Sequence, residues 1–171
     1  MGHFIDNVSV KIQNKKLHNL FDLMNEKPLI LVLHRFYGCT IAQYEIERLA
    51  EEYRQWKDCP YELAFVVQSD LDEMSKVKQL LDIPIICDLE EVLYSMFAVP
   101  KAKSREEMLG GNSLEKVDMA KQAGYVHGID SGDPFQLPAA FAIAKDGCIL
   151  YVHYGRNAGD LPTLHDIVKG T

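Results

Sequence analysis

Residues 29–43, Leu-Ile-Leu-Val-Leu-His-Arg-Phe-Tyr-Gly-Cys-Thr-Ile-Ala-Gln, join an apolar run to a helical pattern. Leu29–Leu33 is an uninterrupted apolar run of strand length after a proline, which is typical of a strand covered on both faces. From Ile41 the apolar residues recur on one face as far as Trp56, which predicts an amphipathic helix with Glu45 among the residues off that face. Cys39 therefore lies at the junction between a predicted central strand and a predicted helix.

Composition limits what this cysteine can belong to. With 171 residues, of which 47% are apolar, the chain is long enough to bury a core, and we expect residues 1–171 to form a single domain. The net charge of -7 and the lack of a Lys/Arg cluster argue against a nucleic-acid partner. The N-terminus lacks an export-signal pattern, and the longest apolar run, Pro28–Leu33, is too short to span a bilayer. We therefore expect a cytoplasmic protein with no membrane partner.

Strand and helix patterns alternate along the first half of the chain. Leu63–Val67 is a second apolar run of strand length, and the apolar spacing over residues 69–81 predicts a helix. Ile83–Cys87 is predicted as a third short strand, followed by a helix as far as Met96. This order implies right-handed crossovers and a mainly parallel arrangement of these strands. We also interpret Leu17–Met24 as a short helix that precedes the first strand.

The second half starts with a weaker hydrophobic pattern. Residues 100–132 are predicted to form a partly helical inserted segment with a helix over Ser113–Gln122. The runs Ala139–Ala144 and Cys148–Tyr154 flank a Lys-Asp-Gly turn, a strong signal of a β-hairpin. A final helix is expected to begin at Asp160 or Thr163. A βαβ half followed by a hairpin and a helix is the chain order of a thioredoxin-type fold.

The position of Cys39 favours a reactive thiolate. Ligands and chemistry collect at the carboxyl ends of the strands in α/β sheets, where helix N-termini point toward the site. The sulfur would face unpaired backbone N–H groups and the positive end of the helix dipole. Arg35 is a nearby cation, and Thr40 and His34 are further possible donors. The alternative is a small apolar residue that fills the junction, because free cysteine is commonly buried and inert.

The segment Gln136-Leu-Pro-Ala-Ala-Phe-Ala-Ile143 supplies the second half of the pattern. Proline cannot donate to a sheet ladder, so Pro138 is expected at the very start of its strand. A cis peptide in a tight turn is plausible at this place, and a trans proline that breaks the strand edge is the alternative.

Taken together, these segments resemble the thioredoxin-like superfamily, closest to the peroxiredoxin-like branch of the AhpC/TSA (redoxin) family. The matching stretches, in order, are Leu31–Glu47, Ile83–Val99 and Leu137–Gly147, continued by Val152–Tyr154 and Asp160. The resemblance implies an α/β thioredoxin-like fold with a central mixed sheet flanked by helices. It also implies that Cys39 attacks peroxides or disulfides and that Pro138 is cis and packs against it, with Arg35 and Thr40 as further catalytic residues.

The sequence departs from the family pattern in three respects. Ala42 stands where a Cys-x-x-Cys motif has its second cysteine, so the motif is degenerate and Cys39 has no adjacent partner. Phe36 replaces the threonine typical of peroxiredoxins, and Gln136 and Leu137 occupy the neighbourhood of the usual arginine. Peroxide activation would then depend on Arg35, Thr40 and backbone amides.

An oxidised Cys39 needs a reductant. Cys87 is the best internal candidate because its strand should end at the same sheet edge, with burial in the strand as the alternative. Cys59 and Cys148 should lie at the opposite edge, so an external thiol fits the single-cysteine arrangement better. We expect no cofactor and no metal, because His127, Asp130 and Asp133 are loop residues of a kind that is usually solvated.

The sequence therefore predicts a thiol-dependent oxidoreductase of peroxiredoxin-like type with Cys39 as the nucleophile. Its substrate would be a peroxide or a disulfide, and its reductant a small thiol or a thioredoxin-like protein. The alternative is a non-catalytic thioredoxin-like binding module that has lost redox turnover. The apolar and aromatic content of the C-terminal hairpin suggests a homodimer.

Overall fold

The computed structural model describes residues 2–14, 16–74 and 82–171. The strands of the described part are β1 (Ser9–Lys11), β2 (Leu17–Asn19), β3 (Leu29–Leu33), β4 (Glu62–Val67), β5 (Ile85–Cys87), β6 (Ala139–Ile143) and β7 (Ile149–Tyr154). Its α-helices are α1 (Thr40–Gln55), α2 (Leu71–Met74), α3 (Val92–Met96), α4 (Arg105–Met108), α5 (Ser113–Gln122) and α6 (Leu164–Lys169). A 3₁₀ helix over Leu20–Met24 follows β2.

Five of these strands form one mixed sheet in the order β5-β4-β3-β6-β7. The strand β3 pairs in parallel with β4 and antiparallel with β6, so its backbone is hydrogen-bonded on both sides. The strands β1 and β2 form a separate antiparallel pair. The sheet is therefore mixed and carries helices, as predicted.

Both faces of β3 are buried because side chains alternate along a strand. Leu29, Leu31 and Leu33 point into one apolar layer, which contains Phe141. Ile30 and Val32 point into the other layer, which contains Ile46 and Leu49 of α1 together with Leu164 and Ile167 of α6. The five residues of β3 are all fully buried, so the apolar run of the sequence corresponds to the centre of the core.

The helices α5 and α6 agree with the sequence prediction. The helix α5 has the predicted bounds, and Thr163 is the N-cap of α6, with its hydroxyl accepting from the N–H of Asp166. The helix predicted over residues 69–81 is described only as α2, since residues 75–81 lie outside the described part. Among the described residues, no helix combines the length and apolar character needed to cross a membrane.

The prediction of a helix over Leu17–Met24 is wrong in its first part. Leu17–Asn19 is strand β2, which pairs with β1 and places His18 opposite Val10. Helical turns begin only at Leu20, where the side chain of Asp22 accepts from the N–H of Asn19. The apolar spacing is compatible with both structures, and pairing with the preceding strand β1 decided between them.

Replacing a core phenylalanine tests the packing of the sheet. Phe141 is 1% exposed, and its ring centroid lies 4.4 Å from that of Phe97. We expect Phe141→Ala to lower the free energy of unfolding by about 3–5 kcal/mol through lost burial and a cavity, measured by urea denaturation. Phe4→Ala, at a residue that is 68% exposed, should change it by no more than about 0.5 kcal/mol. Equal losses in the two variants would contradict the described core.

Candidate active site

Cys39 lies at the carboxyl edge of the central strand, where the sequence predicted it. It is the N-cap of α1, a helix of 16 residues, and its backbone N–H donates to the carbonyl of Phe36 at 3.2 Å. Its thiol makes no capping hydrogen bond within the described part of the chain. The sulfur is thus carried by the residue at the positive end of the helix dipole, a position that favours an anion.

Cys39 is buried in an apolar cluster. Only 5% of the residue is exposed. Around it pack side chains from the strand-to-helix loop, the first turn of α1, the start of the 100–132 segment, the residue before Pro138 and the loop after β7: Phe36, Ile41, Ala42, Ala102, Met108, Leu137 and Ala158. A reagent larger than a few atoms therefore needs these side chains to move before it reaches the sulfur.

Arg35 and Thr40 flank the cysteine in different ways. The guanidinium carbon of Arg35 lies 4.7 Å from the centroid of the Phe36 ring, a cation–π distance. The Nε atom of Arg35 is buried and has no hydrogen-bond partner among the described residues. Thr40 is the half-buried first residue of α1. Arg35 thus brings an uncompensated N–H donor and a positive charge to the loop that leads into Cys39.

Pro138 stands directly before β6, as predicted, but the expectation of a cis peptide is wrong. The Leu137–Pro138 bond is trans, as are the other peptide bonds of the described residues. The carbonyl of Pro138 accepts from the N–H of Gly155 at 2.8 Å, and the N–H of Leu137 donates to the carbonyl of Pro100 at 3.3 Å. With a trans bond, the backbone on either side of it is hydrogen-bonded to the Gly155 and Pro100 segments. The side chain of Leu137 packs in the cluster around Cys39.

The positions that differ from the family pattern are occupied by buried, fully engaged side chains. Phe36 is fully buried, and its ring meets that of His127 edge-on at 6.3 Å. The carbonyl oxygen of the Gln136 side chain accepts from Gln68 at 3.0 Å, and its amide nitrogen donates to the carbonyls of Pro100 and Leu137. Neither Phe36 nor Gln136 offers a free donor to a substrate.

His34 is buried between the sheet and α1. It is 2% exposed, its ring centroid lies 5.8 Å from that of Phe65, and its Nε2 has no hydrogen-bond partner among the described residues. Burial, reinforced by the charges of Arg48 and Lys116, lowers the pKa of His34 from its usual 6.5 to about 3. The imidazole is therefore neutral at physiological pH and supplies no positive charge to Cys39.

The 100–132 segment is tied to α1 through a charged residue that the sequence placed off the apolar face. Glu45 is fully buried, and its carboxylate pairs with Lys116 of α5 at 2.8 Å and with Arg48 at 2.6 Å. The expectation that Glu45 lies away from the packed face is wrong because α5 covers this side of α1. The sequence contains no local signal for this pair, since its members are 71 positions apart.

Cys87 is not placed to pair with Cys39. It ends β5 at the predicted edge of the sheet, but β4 lies between β5 and β3, which puts the two outer strands about 10 Å apart. That separation exceeds the usual reach of a disulfide. Burial, together with the charges of Asp70 and Glu73, raises the pKa of the Cys87 thiol to about 12.

The remaining cysteines are further from the site. Cys59 is 3% exposed and lies at the amino end of β4, and burial raises the pKa of its thiol. Cys148 follows the turn before β7, at the edge opposite Cys39. In the described part of the chain all four cysteines are free thiols. Cys59 and Cys148 are poor partners for Cys39, as predicted.

A cleft of about 490 Å³ lies beside Cys87 instead of Cys39. Its wall includes Ser69, Asp70 and Asp88 at the carboxyl ends of β4 and β5. The two oxygens of Asp88 accept from the backbone N–H groups of Val92 and Leu93 at 3.0 and 2.8 Å, so this carboxylate serves as a cap for α3. Open space and the candidate nucleophile therefore occupy different parts of the same sheet edge.

The three loop residues weighed as metal ligands do not form one site. His127 pairs with Asp130 at 2.7 Å, whereas Asp133 pairs with Lys101 at 2.8 Å. Over residues 2–14, 16–74 and 82–171, no group of three or more His, Cys, Asp or Glu side chains is arranged to hold a metal ion.

The mixed sheet with its flanking helices and a cysteine at the helix N-terminus defines a thioredoxin-like fold. Residues 1–152 match the AhpC/TSA family, and the chain belongs to it. No curated protein sequence matches this chain.

Solved structures with the same fold include peroxiredoxins and a thiol:disulfide interchange protein. A cysteine-to-serine mutant of peroxiredoxin 6 from Arenicola marina is 15% identical, with a TM-score of 0.68 over 98% of this chain and 70% of that chain. A yeast mitochondrial 1-Cys peroxiredoxin is 13% identical, with a TM-score of 0.64 over 98% and 72%. A putative thiol:disulfide interchange protein DsbE from Chlorobium tepidum is 12% identical, with a TM-score of 0.56 over 90% and 84%. At these identities the likeness establishes the fold.

The thiol of Cys87 should resist alkylation near neutral pH. With its pKa raised to about 12, its thiolate fraction at about pH 8 is about 10³-fold below that of a free cysteine. Peptide-resolved iodoacetamide labelling should give a correspondingly slow rate. Measured as far as about pH 10, this rate should still be rising with pH. Asp70→Asn removes a nearby negative charge and should accelerate labelling severalfold, whereas Asp118→Asn on α5 should not. Labelling as fast as that of a free cysteine would refute the assigned environment.

His34 should make the protein sensitive to acid. The fold holds His34 neutral down to about pH 3, while the unfolded chain takes up a proton near its ordinary pKa of 6.5. Stability from this residue is therefore complete above about pH 6.5 and lost on acidification, by about 2 kcal/mol between about pH 7 and pH 5. Urea denaturation of His34→Leu should show that much less loss over the interval, whereas His3→Leu should keep the wild-type slope. An unchanged slope in His34→Leu would contradict the assignment.

Proposed function

We propose that this protein is a thiol-dependent oxidoreductase in which Cys39 reduces a peroxide or a disulfide. The observation that carries the proposal is the position of Cys39 as the N-cap of α1, directly beyond the central strand, in a chain of the AhpC/TSA family. The dipole and the unpaired N–H groups of a long helix stabilise a negative charge at this point. A thiolate is the nucleophilic form of cysteine.

The chemistry begins with attack by the Cys39 thiolate on one oxygen of the peroxide. A sulfur–oxygen bond forms as the oxygen–oxygen bond breaks, and the leaving oxygen takes up a proton to give water or an alcohol. Cys39 is left as a sulfenic acid. With a disulfide substrate, the same attack gives a mixed disulfide and releases one thiolate.

Arg35 and Thr40 are the side chains proposed to assist this step. Arg35 carries a buried Nε–H without a partner among the described residues, so a donor is available to the leaving oxygen once the surrounding loop admits substrate. Thr40 adds a hydroxyl at the first position of α1. Pro138 is proposed to act through position, because it starts β6 and sets Leu137 against the cluster around Cys39.

The proposed reductant is an external thiol. The raised pKa of Cys87 and its place beyond β4 disfavour an internal resolving cysteine. A first thiol condenses with the sulfenic acid and releases water, and a second thiol reduces the mixed disulfide and regenerates Cys39. The yeast structure described above concerns thiol resolution of a 1-Cys peroxiredoxin through glutathione and thioredoxin systems, and we propose a small thiol or a thioredoxin-like protein here.

Three further attributes remain proposals. A cytoplasmic location and an antioxidant role in cell redox homeostasis rest on the sequence and on the proposed chemistry. A homodimer is proposed through the C-terminal hairpin, where the edge strand β7 leaves Val152 and Tyr154 38% and 42% exposed.

A second candidate is a non-catalytic thioredoxin-like binding module. The burial of Cys39 favours it, since the residue is 5% exposed and packed by Phe36 and Met108. A free cysteine in such a setting commonly acts as a small apolar residue. The two candidates differ in whether the sulfur reacts.

Intact mass spectrometry after mild hydrogen peroxide treatment, with dimedone to trap sulfenic acid, separates the two candidates. The wild type should gain one trapped adduct at Cys39, Cys39→Ser should gain none, and Cys148→Ser should behave as the wild type. Peroxide consumption with glutathione or dithiothreitol should fall to the uncatalysed rate in Cys39→Ser. An absence of any oxidation at Cys39 would overturn the oxidoreductase proposal in favour of the binding module.

A further inference from the structure

The 100–132 segment, called the insertion below, covers Cys39. Two side chains of the insertion, Ala102 and Met108, belong to the apolar cluster that contains the cysteine, and Val117 packs against this cluster. Ala102 and Met108 are themselves 8% and 3% exposed. Access to the sulfur is thus set partly by residues that lie outside the thioredoxin-like elements β3, α1 and β6.

A buried ion pair ties the insertion to the helix that carries Cys39. The Nζ of Lys116 on α5 lies 2.8 Å from Oε1 of Glu45 on α1, with side-chain exposures of 14% and 0%. Removing Lys116 leaves the buried carboxylate of Glu45 with Arg48 as its remaining cationic partner, and loss of one partner of a buried charge is costly. This pair therefore favours the arrangement in which α5 lies against α1.

A second tie lies next to the cysteine itself. The N–H of Gly128 donates to the carbonyl of Gly38 at 2.8 Å. The side-chain amide of Gln43 donates to the carbonyls of Val126 and Gly38 at 3.1 and 3.3 Å. A Cβ at position 38 would overlap the backbone of Ile129, so the insertion contacts the backbone directly before Cys39.

The part of the insertion that makes the second tie is weakly anchored elsewhere. Residues 123–130 have no regular secondary structure, and apart from the half-buried Tyr125 they are exposed. Segments with few buried contacts open locally at lower free energy than a core does. The hydrogen bonds at Gly38 and Gln43 and the edge-on ring contacts of His127 with Phe36 and of Tyr125 with Tyr44 hold this segment, and their weakening would let it move while the sheet stays folded.

We propose that the insertion is a size filter which restricts Cys39 to small hydroperoxides of the dimensions of hydrogen peroxide. The residue keeps a small exposed fraction in the closed arrangement, which suits a reagent close to water in size. Aromatic hydroperoxides and disulfides require the insertion to open, in the manner of a lid. This inference rests on the proposed function, since it selects among the substrates of the same cysteine.

The test compares second-order rate constants for modification of Cys39 by hydrogen peroxide, cumene hydroperoxide and dithionitrobenzoate. Gln43→Ala removes the two side-chain hydrogen bonds of the second tie, and Lys116→Met removes the ion pair while keeping the aliphatic stem. Each variant should react about 3–10-fold faster with the two bulky reagents. The reason is that loss of one to two hydrogen bonds or of an ion pair shifts the opening equilibrium of the insertion toward the open arrangement. The rate with hydrogen peroxide should change by less than about twofold.

Matched controls use the same helices. Gln55→Ala, at the far end of α1 where the side chain donates to Glu51, and Lys121→Met, at an exposed position of α5, should leave all three rates unchanged. Urea denaturation checks that each variant is folded, and Gln43→Ala, which leaves no buried charge unpaired, carries the test if Lys116→Met is not folded.

The outcomes separate the filter from the proposed function. Selective acceleration of the bulky reagents supports the filter. Equal acceleration of all three reagents, or none, with hydrogen peroxide still oxidising Cys39, overturns the filter alone. Failure of hydrogen peroxide to oxidise Cys39 in the wild type overturns the proposed function and the substrate class with it, even if dithionitrobenzoate still responds to the ties.

Discussion

The burial of β3 on both faces is the constraint on which the rest of the structure depends. Leucines at alternate positions fill one apolar layer, and Ile30 and Val32 fill the other. Pairing with β4 on one side and β6 on the other satisfies the backbone of a strand that water cannot reach. The chain consequently leaves β3 in the middle of the carboxyl edge of the sheet, and the loop that follows brings Cys39 to the start of α1.

At Cys39, the groups placed to stabilise a negative charge are mainly backbone N–H groups. The neighbours of the cysteine include the apolar side chains of Phe36 and Leu137. The side chain of Gln136 is hydrogen-bonded to Gln68 and to the carbonyl of Pro100. In the proposed mechanism, electrostatic support for a thiolate comes from the helix N-terminus, and the buried Nε–H of Arg35 is the proposed donor to the leaving oxygen. Such a site offers few polar contacts, but it excludes water from the surroundings of the sulfur. The low local dielectric strengthens the electrostatic interactions of the few charges nearby.

Charges beneath and beside α1 link the core to the insertion. Glu45 is buried because Lys116 and Arg48 compensate it, and the same two cations help to keep His34 neutral. Protonation of His34 at acidic pH therefore destabilises the folded state at the carboxyl end of β3. The same two cations therefore act on the buried charge of α1, on the packing of α5 against it and on the protonation of His34.

The order of the five strands of the main sheet, the place of Cys39 and the C-terminal hairpin were predictable from the sequence, because they depend on local periodicity and turn chemistry. The place of Pro138 directly before its strand was predictable as well, because proline cannot donate to a sheet ladder. The helix predicted at Leu17–Asn19, the cis peptide at Pro138 and the exposed side assigned to Glu45 were wrong. Leu17–Asn19 pairs with the preceding strand β1, whereas the other two depend on partners further along the chain, namely the Gly155 and Pro100 segments and Lys116.

The sequence by itself therefore determined which residue carries the candidate chemistry and which element presents it. Only the tertiary structure decided that the insertion covers this residue and that β4 separates it from Cys87. The reason is that periodicity records whether a side chain faces apolar surroundings, whereas burial of a charge or separation of two thiols depends on what packs there from elsewhere.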